Sequence, residues 1–153
     1  MTIEQLEQKL AALSHDLRRD CARIVAETAT EYFKGRFRDK AYDGRPWRRT
    51  LKPTGSTLVE SGNLMNSIRP AEVSESRVVI SAGNDKVPYA RVHNEGGIQY
   101  VKPHHRTSPK GKRYQVRGYS YKAWRRQFMG DAKELMDLLE KRINLYLSSK
   151  LNN

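Results

Sequence analysis

From Ile3 to about Phe37 the apolar residues recur at steps of three and four: Ile3, Leu6, Leu10, Leu13, Leu17, Cys21, Ile24, Val25, Ala29, Tyr32 and Phe33. That period marks one face of a long amphipathic helix, and nothing else in the chain constrains the fold as strongly. A stripe of this length must be covered. It can lie along a sheet, pack on a partner helix, or join a coiled coil, which heptad-like spacing also admits. Thr2 and Gln5 stand at capping-box spacing at its start, and Ser14 is a point where the helix can break.

A second stripe closes the chain. In "GDAKELMDLLEKRINLYLSSK", Leu135, Leu138, Leu139, Ile143, Tyr146 and Leu147 fall at helical intervals behind Asp131 and Glu134, which have capping-box spacing. Between the helices the text is punctuated by turns. Residues 34–52 hold eight basic residues and two acids, with turn signals at Asp43-Gly44 and before Pro46, and read as a loop. "LVESGNLMNSIRP" admits a short helix or a bent strand with Leu58, Leu64 and Ile68 on one side. "SRVVISAGN" reads as a strand ending at Gly83-Asn84, and "IQYVK" and "RYQVRGY" as two strands joined by the long loop "PHHRTSPKGK".

These elements predict one α+β domain over residues 1–153: a curved, mostly antiparallel sheet flanked by the N-terminal and C-terminal helices, with two basic extensions. A chain of 153 residues buries roughly 68–70% of its unfolded surface, enough for a single core.

Charge narrows the partners. Twenty-nine Lys and Arg against 17 Asp and Glu give +12, which suits nucleic acid, an anionic surface or acidic proteins without choosing among them. The segment from Gly96 to Gly130 has nine basic residues and no acid. Cys21 is the sole cysteine, so the chain has no internal disulfide and no Cys-rich zinc site, and its place on the helical stripe suits a small core residue. Acids stand near the N-terminus where a signal peptide has basic residues, and no apolar run reaches eighteen, so a soluble protein made inside the cell, without a membrane partner, is expected.

The stretch "VPYARVHNEGG", Val87 to Gly97, invites a catalytic reading through His93 and Asn94, with His104 and His105 downstream. The spacing does not support it: a metal site needs three or four convergent ligands, and residues 96–130 supply no carboxylate or cysteine. Asp39, Asp43, Glu60, Glu95 and Asp131 are scattered singly, and no nucleophile elbow, phosphate loop or dinucleotide fingerprint occurs. The expectation is a non-enzyme with no catalytic residue, metal or cofactor. A metal-dependent nuclease centred on His93 is the weaker alternative.

Aromatics interleave with the basic residues instead. Trp47 stands beside Arg45, Arg48 and Arg49, and Tyr114, Tyr119, Tyr121 and Trp124 lie among Lys112, Arg113, Arg117, Lys122, Arg125 and Arg126. Such mixtures fit phosphate contact with base stacking, and equally a protein interface, where Trp, Tyr and Arg concentrate binding energy. Arg45, Trp47, Arg48, Arg49, Lys102, Arg106, Lys110, Lys112 and Arg113 are the candidate interface, with protein contact placed ahead of DNA.

The order of landmarks resembles the phage virion-morphogenesis, or tail-completion, family of small neck and tail proteins. Leu58, Ser61-Gly62, Leu64 and Ser67-Ile68 match one recurrent element of that family. Tyr89-Ala90, Val92, His93 and Gly96-Gly97 match a second, and Arg126, Phe128, Met129 and Gly130 a third. By this resemblance "VPYARVHNEGG" is a structural corner: Tyr89 and Val92 pack into the core, His93 hydrogen-bonds locally, and Gly96-Gly97 take positive φ. The resemblance further implies a homo-oligomeric ring of six subunits at the head–tail junction of a virion, made in the host bacterial cytoplasm. It would complete the tail or neck and contact other neck, connector or tail proteins, with non-specific DNA contact in the lumen. The alternative is a stand-alone nucleic-acid-binding protein using the 102–126 hairpin.

Overall fold

A computed structural model describes residues 3–51, 58–59 and 61–152, with the backbone alone over 4–13. The Thr2–Gln5 capping box, the side chains of Leu6, Leu10 and Leu13, and Lys52 and Glu60 lie outside the described residues. The chain is α+β, with its long helices at the two ends of the sequence and short antiparallel ribbons between them.

Helix α1 runs unbroken from Ile3 through Ser14 to Asp39. Its buried face is Ala22, Ala26, Ala29, Phe33 and Phe37, flanked by Thr28 and Tyr32. The spacing of four, three, four and four is the predicted period. The face is nevertheless rotated slightly from the bulkiest residues, so Cys21, Ile24 and Val25 end half-buried at its edges. Alanines in the middle of the stripe let neighbouring backbones approach closely; the aromatics at its end fill the wider space beyond.

At that end β1 (Ala41–Tyr42) and β2 (Arg45–Pro46) form a minimal hairpin in what the composition suggested was loop. Asp43 and Gly44 both have positive φ, 46° and 76°, the signature of the tight hairpin turn that Asp-Gly favours. The turn does more than reverse the chain. Asp43 Oδ1 accepts the Glu134 N–H at 3.1 Å, so the start of α4 (Lys133–Leu151) is capped by a residue 91 positions away. The expected Asp131–Glu134 box does not form: Ala132 is the capping residue and makes no side-chain cap, while Glu134 turns to Tyr32 and Arg36.

Helix α4 packs antiparallel on α1. Glu134 meets Arg36 at 3.2 Å, Arg142 reaches the fully buried Thr28 at 3.0 Å, and Tyr146 donates to Asp20 at 2.6 Å. Among the described residues no helix is long and apolar enough to cross a membrane.

The other side of α1 carries the ribbon of β3 (Arg69–Val73) and β4 (Val78–Ser81). A register shift between Pro70 and Glu72 accommodates the proline, which cannot donate to the ladder. Before it, Gly62 in the left-handed region (φ 71°) starts the single turn α2 (Asn63–Asn66), which turns Leu64 inward and is followed by the buried Ile68. The buried Ser67 hydroxyl donates to the Leu64 carbonyl and accepts the Gly83 N–H, tying the turn to the end of β4. Phe37, Phe128, Ile68 and Val87 are the largest fully buried apolar side chains, and truncating an aromatic at such a position costs about 3–5 kcal/mol.

Candidate interaction surface

Helix α3 (Ala90–Glu95) is the corner foreseen in "VPYARVHNEGG", with its packing redistributed. Val87 and Ala90 are the buried residues; Tyr89 is exposed and Val92 only half-buried, contrary to the expectation that these two fill the core. Val87, in the turn before α3, and Ala90, its first residue, fill the core side of the corner, which leaves Tyr89 on the outside. His93 meets Tyr89 edge-on at 5.6 Å, and its hydrogen bonds are main-chain ones: its N–H donates to the Tyr89 carbonyl and its carbonyl accepts the Arg126 N–H at 2.8 Å. Burial, and secondarily Arg126, pull its imidazole below the usual histidine range, so it is neutral at neutral pH.

Asn94, unassigned by the spacing argument, is the central residue of the corner. Its Oδ1 accepts from Phe128 N–H at 2.9 Å and Met129 N–H at 3.0 Å. Gly96 has φ 71°, and an added Cβ would lie 2.7 Å from Arg125 N and 2.9 Å from the Ala123 carbonyl. His93, Asn94 and Gly96 therefore clamp residues 123–129, and the second and third family-like elements form one unit.

From that clamp a long β-arm departs. Strands β5 (Gly97–Val101) and β8 (Tyr119–Ala123) pair from Gly97↔Ala123 to Val101↔Tyr119. Beyond a two-residue break, β6 (His104–Thr107) and β7 (Arg113–Val116) pair in the same register from His104↔Val116 to Thr107↔Arg113. Four of the ten residues of "PHHRTSPKGK", His104 to Thr107, are therefore ladder, and the loop shrinks to residues 108–112, closed by Ser108 and Lys112. The break falls where Pro103 offers no N–H and Gly118 no side chain; the Tyr100 ring lies over Gly118 beside Pro103.

Eleven residues a side give a reach of about 35 Å. The arm's strands are held chiefly by one another, and a two-stranded ribbon that buries no apolar face is at best marginally stable alone. Ile98 is 80% exposed and Tyr100 63%, with Tyr119 and Tyr121 open on the opposite strand.

The candidate residues separate by position. Lys102, Arg106, Lys110, Lys112 and Arg113 are all exposed on the arm. Arg45, Arg48 and Arg49 are exposed near its root, and Arg48 stacks on Trp124 at 3.6 Å while its carbonyl accepts from Arg126 Nε at 3.1 Å. Trp47 faces inward: its ring meets Phe37 edge-on at 5.5 Å and its indole N–H donates to the Gln127 carbonyl at 2.7 Å. Leu58, with φ 61°, is partly buried against the core cluster that includes Leu64.

Among the described residues no three of His, Cys, Asp or Glu are grouped to hold a metal ion. The fold and surface thus define a small body with a rigidly rooted, protruding arm, an architecture suited to assembly with other molecules. The chain belongs to the phage virion morphogenesis family, which it matches over residues 1–148. Membership points to a structural part in building the virion, in contact with other virion proteins, and to association with the particle. No curated protein and no solved structure is significantly similar to it.

Proposed function

We propose that the protein forms a ring, of six subunits, at the head–tail junction, where it completes the tail or neck and joins it to the head. Family membership supplies the setting, and the arm is the observation that carries the reading. A ring subunit must reach its neighbour with a defined geometry, and here a ribbon of about 35 Å leaves a clamped root with Ile98, Tyr100 and Tyr121 uncovered. Exposed aromatics and aliphatics on both faces of one short ribbon mark contact surface.

Six copies at +12 each repel one another unless counter-charge is supplied. A lumen lined throughout with Lys and Arg would hold back DNA that must later slide out, because each neutralised phosphate adds affinity. Most basic residues therefore meet acidic faces of adjoining rings, with Arg45, Arg48 and Arg49 placed by the inward-facing Trp47, and a minority meet DNA.

Light scattering behind a sizing column, across concentration and salt, tests the ring. A discrete ring-sized oligomer is expected; a strict monomer would direct attention to assembly on a partner or to stand-alone nucleic-acid binding. Arg48→Glu with Arg49→Glu should abolish joining while the chain still folds, because both side chains are exposed. Normal infectious particles from that double variant would sink the junction reading.

A further inference from the structure

The arm has two chemically different halves, divided at Pro103 and Gly118. The root half exposes Ile98, Tyr100, Tyr119 and Tyr121. The distal half, taken with the break at its base, exposes Lys102, Arg106, Lys110, Lys112, Arg113 and Arg117, and of its large apolar side chains only Tyr114 is open. Ladder partners offer these cations no counter-charge: Arg113 stands opposite Thr107, and Arg106 opposite Tyr114. Among the described residues none of the six side chains has an ion-pair or hydrogen-bond partner. Six of the twelve net positive charges of the molecule reside here, while residues outside 96–130 hold 20 Lys and Arg against 17 acids.

Such a surface selects its occupant. A stable protein interface has an apolar, charge-depleted centre, which the distal half lacks; the root half comes nearer to one, with Lys122 the exposed cation of its strands beside four exposed apolar side chains. A second copy of this chain is a poor occupant, because the body itself carries a small positive excess. Phosphates require only cations within reach, and a two-stranded ribbon fits the major groove of B-DNA, about 12 Å wide. We propose that the distal half of the arm is a sequence-independent contact for the phosphates of double-stranded DNA. Contacts of this kind position without reading bases. The inference does not depend on the ring, because it rests on one subunit's surface.

The test is fluorescence anisotropy of the full-length protein with a labelled duplex of about thirty base pairs and arbitrary sequence, titrated between about 50 and 200 mM salt. Six neutralised phosphates give a log–log slope of about −5, a loss of roughly 10³-fold over that range. Lys110→Gln, Lys112→Gln and Arg113→Gln together should flatten the slope to about −3 and cut the loss to roughly forty-fold. A control triple with the same charge change, Lys133→Gln, Lys141→Gln and Lys150→Gln on α4, should leave the slope near its original value. All six sites are exposed, so both variants should melt like the parent.

Equal flattening by the two triples would show attraction to net charge alone and overturn the proposal. So would the absence of binding at the lowest salt. Tighter binding to polyglutamate than to the duplex, lost in the arm triple, would assign the surface to an acidic protein instead. A ring-sized oligomer that ignores the duplex would overturn this inference and leave the ring standing; a monomer that binds it through the arm would uphold this inference and direct the ring reading to assembly on a partner.

Discussion

Asn94 should be the most sensitive polar residue of the arm's root. Replacing it with alanine removes the acceptor shared by Phe128 N–H and Met129 N–H, at 2.9 and 3.0 Å. Each unsatisfied buried donor costs about 1–3 kcal/mol, and the part-buried setting, which admits some water, places the pair at about 2–3 kcal/mol. Against a total of roughly 5–15 kcal/mol for a domain, that is a large share. At about 2–4 °C per kcal/mol for a chain of this size, the melting temperature should fall by about 4–12 °C. Thermal melts by circular dichroism, with urea midpoints at unchanged m, measure it. Asn94→Asp keeps an oxygen in place for both N–H groups and should stay close to the parent. An alanine variant within about 1 °C, or an aspartate variant as damaged as the alanine one, would refute the clamp.

Gly96→Ala should cost at least about 2 kcal/mol, because positive φ is unfavourable for alanine and the new methyl would press on main-chain atoms of Ala123 and Arg125. Gly111→Ala at the arm's tip has the same sign of φ but open space, so its loss should be smaller; equal shifts in melting temperature would contradict the close approach at Gly96. The Tyr32 hydroxyl is raised from 10.0 to about 12 by burial first and by its bond to Glu134 second. A raised value means the fold favours the protonated phenol, so this contribution is complete below pH 10 and is lost as pH rises through about 12. The gap in urea midpoint between the parent and Tyr32→Phe should hold to pH 10 and then shrink; a gap that stays constant to pH 12 would show that Tyr32 is not the group responsible.

Periodicity is local information, and what it governs was legible. The helical stripes put α1 and α4 at their places, the Asp43-Gly44 and Gly83-Asn84 turns fell where small or αL-tolerant residues sit, and Gly96 and Gly97 have the positive φ that the family resemblance implied. The acid-free run from Gly96 to Gly130 marked the arm's chemistry. Its shape was hidden, because the distal strands have neither apolar alternation nor a buried face to impose it. They are held in line by a register that starts at the root.

Contacts across long sequence separations had no local signature. Nothing within a few residues of Asp43 announces that it caps a helix 91 positions on, and Asp131 has the right spacing but not the role. Asn94 likewise had no role that its neighbours in sequence could assign, because its two partners lie 34 and 35 residues away. Trp47 read as interface because its neighbours are arginines, whereas packing turns it onto Phe37 and leaves the arginines outside. The sequence by itself determined the helices, the turns and the location of the charge, since each depends on residues a few positions apart. Which oxygens cap, which aromatics are buried and how far the arm reaches were decided only when the chain closed on itself, because those energies belong to pairs that only folding brings into contact.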